Sequence, residues 1–78
     1  MTDGETEAEV LEIVREVLDV DPVRPEDDLF DLGFTSLAIV KTAARVRERL
    51  DAELPLSAYF DAATVADLVA VVAAARPR

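Results

Sequence analysis

A chain of 78 residues has room for one compact core and no deep catalytic cleft. Apolar types make up 51% and aromatic types only 5%, which specifies a core of Leu, Val, Ile and Ala; the absence of Cys and His removes disulfides, thiolate metal sites, an imidazole base and any Ser-His relay. A formal charge of −9 sets the chain against phosphate backbones and so against nucleic-acid partners, and no apolar run approaches the roughly 18 residues needed to cross a bilayer.

The opening MTDGETEAE has neither a basic nor a hydrophobic leader region, so the sequence reads as cytoplasmic, monomeric and one domain, 1–78, with an ordered core over about 6–76. Thr6 with Glu9 predicts a capping box, and Val10, Leu11, Val14, Val17 and Leu18 then recur at helical spacing, giving a first helix over about 7–19. Pro22 and Pro25 disfavour helical geometry at the residues before them and end that pattern.

Residues 20–35 sustain no period, yet Leu29, Phe30, Leu32 and Phe34 are too many apolar groups for a solvated tether. The segment is expected to fold back on the domain with Leu29, Phe30 and Leu32 as anchors, and a connection this long is more often functional than idle. Gly33 is placed to supply a positive φ just before the next helix.

A second helix follows from about Ser36 to Leu50, with Ile39, Ala43, Val46 and Leu50 on one stripe assigned to the core. Leu37, Val40 and Ala44 form another apolar group well away from that stripe, which is either a docking face or, for Val40, packing under the loop. Residues 1–35 carry twelve acids and two bases, whereas residues 36–50 carry one acid and four bases: Lys41, Arg45, Arg47 and Arg49. These bases are either a solvated face or a partner-selecting one.

Beyond Pro55, Ser57 is expected to cap a single turn holding Tyr59 and Phe60, which belong either to a partner face or to a lid over the core. Thr64 with Asp67 makes a second capping box for a helix over about Val65–Ala75, whose buried stripe is Val65, Leu68, Val69 and Val72. No segment alternates as a strand does. The fold class is all-α: a small bundle of three principal helices plus one short helix, with a long first loop.

Chemistry concentrates in LFDLGFTSL, residues 29–37. A serine at the first turn of an amphipathic helix puts a hydroxyl at a loop–helix junction beside backbone N–H groups that lack intrahelical partners, where an anion is favoured. Ser36 is then either a simple N-cap or a modified residue. A hydrolase nucleophile is excluded, because the G-x-S-x-G elbow needs glycines where Phe34 and Ala38 stand, and no base is available.

LGFTSL at 32–37 matches the LG-x-x-SL signature of the carrier-protein family, the acyl, peptidyl and aryl carriers of fatty-acid, polyketide and nonribosomal peptide synthesis. The resemblance extends to the acidic first helix, DDLFDLG in the loop, LPLSAYF in the short-helix region and TVADLVAVV in the last helix. It implies that Ser36 carries a covalent 4′-phosphopantetheine arm derived from coenzyme A, and that the protein is a carrier without catalysis or a metal of its own. It also implies visits from a phosphopantetheinyl transferase, an adenylation or other acyl-loading enzyme, and condensation, ketosynthase, tailoring or thioesterase-type enzymes.

The basic second helix and the cadence of LPLSAYFDAATVADL make it more similar to a peptidyl carrier, free-standing in character, than to a fatty-acid carrier. Phe34 and Thr35 stand where peptidyl carriers commonly have Gly-His and acyl carriers often an Asp before the serine. Partner contacts are expected at Phe34, Thr35, Leu37, Val40, Lys41, Ala44, Tyr59 and Phe60. Phe34 is expected either to meet partners or the arm, or to plug the loop onto the core. The alternatives are an acyl carrier of a polyketide or fatty-acid-like pathway and, from another class, a helical adaptor that bears no arm.

Overall fold

A computed structural model describes residues 4–77. It contains α1 (Gly4–Leu18), α2 (Ser36–Leu50), α3 (Leu56–Asp61) and α4 (Val65–Ala75). The described residues form no strand; a single antiparallel bridge joins Asp28 to Thr64. The expected bundle of three principal helices, one short helix and a long first loop is the fold observed.

α1 packs on α2 and α4, and α2 packs on α3. Their shared interior contains Val10, Ile13 and Val14 of α1, Ile39, Val46 and Leu50 of α2, Tyr59 of α3, and Val65, Leu68, Val69 and Val72 of α4. The stripe foreseen for α4 is the buried one. On α1 the core centres on Ile13, which the sequence reading passed over, while Leu11, Val17 and Leu18 are only partly buried. On α2, Ala43 yields full burial to Thr42, whose Oγ1 has no hydrogen-bond partner among the described residues.

Caps set the helix ends. Thr64 accepts from the Asp67 amide at 3.1 Å while the Asp67 carboxylate takes the Thr64 amide at 3.2 Å, the reciprocal box expected from spacing. Two expected caps are corrected. α1 already runs from Gly4, so Thr6 lies inside it, fully buried, and its Oγ1 accepts from the Arg76 guanidinium at 2.7 Å, fastening the end of α4 to the start of α1. α3 begins after Pro55 with no side-chain cap, so Ser57 is simply an exposed helix residue. Both α1 and α2 stop at an aspartate in left-handed geometry, Asp19 and Asp51, each with φ 53°.

The connection from α1 to α2 folds back, and its holdfast is the junction between α3 and α4. Leu29 N donates to Ala63 O at 3.0 Å, Val65 N to Asp27 O at 3.0 Å and Ala66 N to Pro25 O at 2.8 Å. Leu29 drops into the core at 1% exposure, and Leu32 and Phe34 pack against it. Phe30 is the exception to the expected anchoring: it stands 88% exposed. Leu29 before it turns into the core and bonds Ala63, while Asp31 after it is exposed and bonds back to Asp28, so the chain at Phe30 is already leaving the core.

Candidate attachment site and docking face

A coil of short-range bonds brings the loop into α2. Asp28 accepts from the amides of Asp31, through Oδ1 at 3.1 Å, and Leu32, through its carbonyl at 3.1 Å. Phe34 N returns to Leu29 O at 3.1 Å, and Gly33, at φ 91°, makes the turn that allows it. An L side chain is strained at that angle, so the glycine foreseen here is required by the backbone.

Thr35 is the N-cap of α2: its backbone is extended, with φ −73° and ψ 173°, and its hydroxyl accepts from the Ala38 amide at 3.3 Å. Ile39 N closes the first helical turn onto Thr35 O at 2.8 Å. Ser36 is therefore the first helical residue, exposed, with the capping position already filled by its neighbour. This removes the plain alternative of a serine that serves only as a cap.

The amides of Ser36 and Leu37 have no partner among the described residues, and the first turn of α2 contains no acid. A negatively charged group on Ser36 Oγ would meet unpaired N–H donors and the positive end of the helix dipole. A phosphodiester fits this position: the oxygen is accessible, the local field is favourable, and no carboxylate of the helix start opposes it.

Thr35 lines two open grooves, and Ser36 lines one of them. One, of about 300 Å³, is lined by Leu29, Phe30, Phe34, Thr35, Ser36, Ile39, Tyr59, Phe60 and Ala62. The other, of about 220 Å³, runs past Gly33, Leu37 and Ala38 to Lys41 and the end of α1. Leu37 at 64% and Val40 at 52% exposure face solvent, as does Ala44, so the second apolar face of α2 has no partner within the described residues. Val40 does not pack under the loop. Of the aromatic pair on α3, Phe60 faces solvent at 59% whereas Tyr59 is buried at 1% exposure, so Tyr59 supports this surface from beneath instead of presenting itself to a partner.

The four bases of α2 divide into distinct roles. Arg49 bridges to α1, bonding Glu16 at 2.5 and 3.2 Å and Glu9 at 3.2 Å, and Arg45 lies 3.8 Å from Glu16. The Glu16 hydrogen bond, helped by Glu9, holds the Arg49 guanidinium above its ordinary pKa. Arg47 lies 3.8 Å from Glu53. Lys41 is thus the only base of α2 without an ion pair among the described residues. Sequence alone counted four positive charges near Ser36; three are largely engaged elsewhere.

Residues 8–72 match the family described as the phosphopantetheine attachment site, and the chain belongs to it. Members of this family are carriers of a covalent 4′-phosphopantetheine group. The chain is 42% identical over 65 residues to tyrocidine synthase 3 of Brevibacillus parabrevis, covering 83% of this chain but only 1% of that synthase. Its fold is similar to that of BlmI, a type-II acyl carrier protein from Streptomyces verticillus involved in bleomycin biosynthesis, with a TM-score of 0.82 and 34% identity over 91% of this chain and 86% of that one. It is also similar to a chain in the complex of the phosphopantetheine transferase Sfp with coenzyme A and a peptidyl carrier protein, with a TM-score of 0.81 and 32% identity over 88% of this chain and 90% of that one.

Proposed function

We propose that Ser36 is the attachment residue and that the chain presents an aminoacyl, peptidyl or acyl group, held as a thioester, to enzymes of nonribosomal peptide or related secondary metabolism. The observation that carries the reading is the exposed Ser36 hydroxyl at the first position of α2, with Thr35 performing the capping. A transferase would join Ser36 Oγ to the phosphorus that bears the pantetheine of coenzyme A. The pyrophosphate bond of the coenzyme breaks, 3′,5′-adenosine bisphosphate leaves, and the serine proton passes to a base of the transferase. The arm supplies the terminal thiol that this cysteine-free chain lacks.

The chain's own residues position and recognise. Thr35 holds the helix start in place, and the helix dipole stabilises the phosphodiester by about 0.3–1 kcal/mol. Leu37, Val40 and Ala44, with Phe60 exposed on α3 and Lys41, which has no ion pair among the described residues, form a face for partner enzymes. A few exposed anchors suit brief visits, because affinity follows anchor quality more than area. The chain has no His or Cys, so it offers no imidazole base and no thiol of its own.

The test is intact-protein mass after incubation with coenzyme A and a permissive transferase. Wild type is expected to gain one phosphopantetheinyl group and Ser36→Ala none. An unmodified wild type across several transferases would leave an adaptor that uses the same face without an arm.

A further inference from the structure

The sequence contains four aromatic residues, three Phe and one Tyr, and all four line a single groove with Ser36 on its rim. Tyr59 belongs to the core and Phe34 packs against it, but the rest of the interior is aliphatic and Phe30 and Phe60 stand outside it. Tyr59 and the partly buried Phe34 lie at the base of the groove, and Phe30 at 88% and Phe60 at 59% exposure rise from it. A single exposed phenylalanine needs no explanation, but two beside one groove that continues onto a buried tyrosine mark an apolar seat.

We propose that this groove seats the pantoyl segment of the arm, the part that bears the geminal dimethyl carbon; the proposal rests on Ser36 being the attachment residue. The tether decides the occupant. An arm on Ser36 Oγ has its branched hydrocarbon only a few bonds past the phosphate, and beyond it come polar amides. The groove that begins at Ser36 offers rings together with Leu29, Ile39 and Ala62, and its polar groups are only the hydroxyls of Thr35, Ser36 and Tyr59, with no charged side chain. On the far side of Thr35 the second groove ends at Lys41 and has no aromatic wall. The dimethyl carbon removes more apolar surface from water by turning toward α3 than toward Lys41. At rest the arm therefore leaves the serine on the α3 side, and its thiol is held away from the Leu37 and Val40 face until a partner draws it out.

Proton NMR of the phosphopantetheinylated protein tests this. Mass is measured first, and the two geminal methyl signals are then compared with those of free coenzyme A. Seating against aromatic rings moves the methyls upfield, changes the separation between their two signals and gives nuclear Overhauser contacts to Phe ring protons. The double change Phe30→Ala with Phe60→Ala moves them most of the way back, whereas Lys41→Ala leaves them in place. Both phenylalanines are exposed, so helix content is expected to survive, and the wild-type contacts stand without the variants. A modified protein whose methyls sit at the free-coenzyme positions, or whose shifts ignore the double change, overturns the groove and leaves the attachment intact. A wild type that gains no mass overturns both.

Discussion

Thr35→Ala separates the two hydroxyls at the start of α2. Thr35 is an exposed residue whose Oγ1 accepts one amide bond, from Ala38 at 3.3 Å, so its loss should cost about 1 kcal/mol, toward the lower part of the range for caps because the bond is long. A chain of 78 residues has an unfolding entropy of about 0.16 kcal/mol/K, so that loss lowers Tm by about 6 °C. Ser36→Ala removes a hydroxyl that makes no bond to the helix and should change stability by less than about 0.5 kcal/mol, or about 3 °C. Thermal unfolding followed by circular dichroism reads both variants, and transferase labelling of Thr35→Ala shows that Ser36 remains the acceptor. The reverse ranking, a stable Thr35→Ala beside a Ser36→Ala several degrees weaker, would make Ser36 the working cap and remove the ground for assigning it the arm.

Thr42→Val replaces a buried hydroxyl that finds no partner among the described residues with a methyl of similar shape, and should raise stability by about 1 kcal/mol in denaturant titration; a loss instead would mean the hydroxyl is bonded after all. Burial raises the pKa of Tyr59, the only tyrosine, above 10.0. Its proton is held more tightly in the folded state, so its contribution is complete below about pH 10 and is lost as pH climbs through the higher folded value. Tyrosinate absorbance should therefore rise together with loss of helix, and a rise near pH 10 with the helices intact would contradict it. A double-mutant cycle of Arg49→Met and Glu16→Gln should show a coupling of about 0.2–1 kcal/mol that fades with added salt, since the pair is only part-exposed at 34% and 31%; a coupling that salt leaves unchanged would argue against an ion pair.

The features legible in the sequence were those written within one or two helical turns. Thr64 and Asp67 stand three residues apart, so the capping box needed no knowledge of the rest of the chain. The α4 stripe was likewise fixed by spacing. At Thr35 and Ser36 local information reached its limit: both residues can cap, and only the extended backbone at Thr35 decides which one does. Ser57 failed as a cap for a related reason, since Pro55 already supplies the extended entry to α3.

What depended on distant residues was hidden. Thr6 spends its hydroxyl on Arg76, seventy positions away, and Arg49 spends its charge on Glu9 and Glu16, so neither plays the part its neighbours in sequence suggested. Phe30 and Phe60 gave no sign of meeting across one groove.

By itself the sequence determined the helices, the aliphatic character of the core and the serine that opens α2, because periodicity, capping chemistry and a short signature act over a few residues. Only the tertiary structure decided that the loop is pinned to the α3–α4 junction, that Lys41 is the base of α2 without an ion pair among the described residues, and that every aromatic ring of the chain gathers beside Ser36. Each of these depends on which residues far apart in the chain come within bonding distance, and that is settled when the helices share one interior.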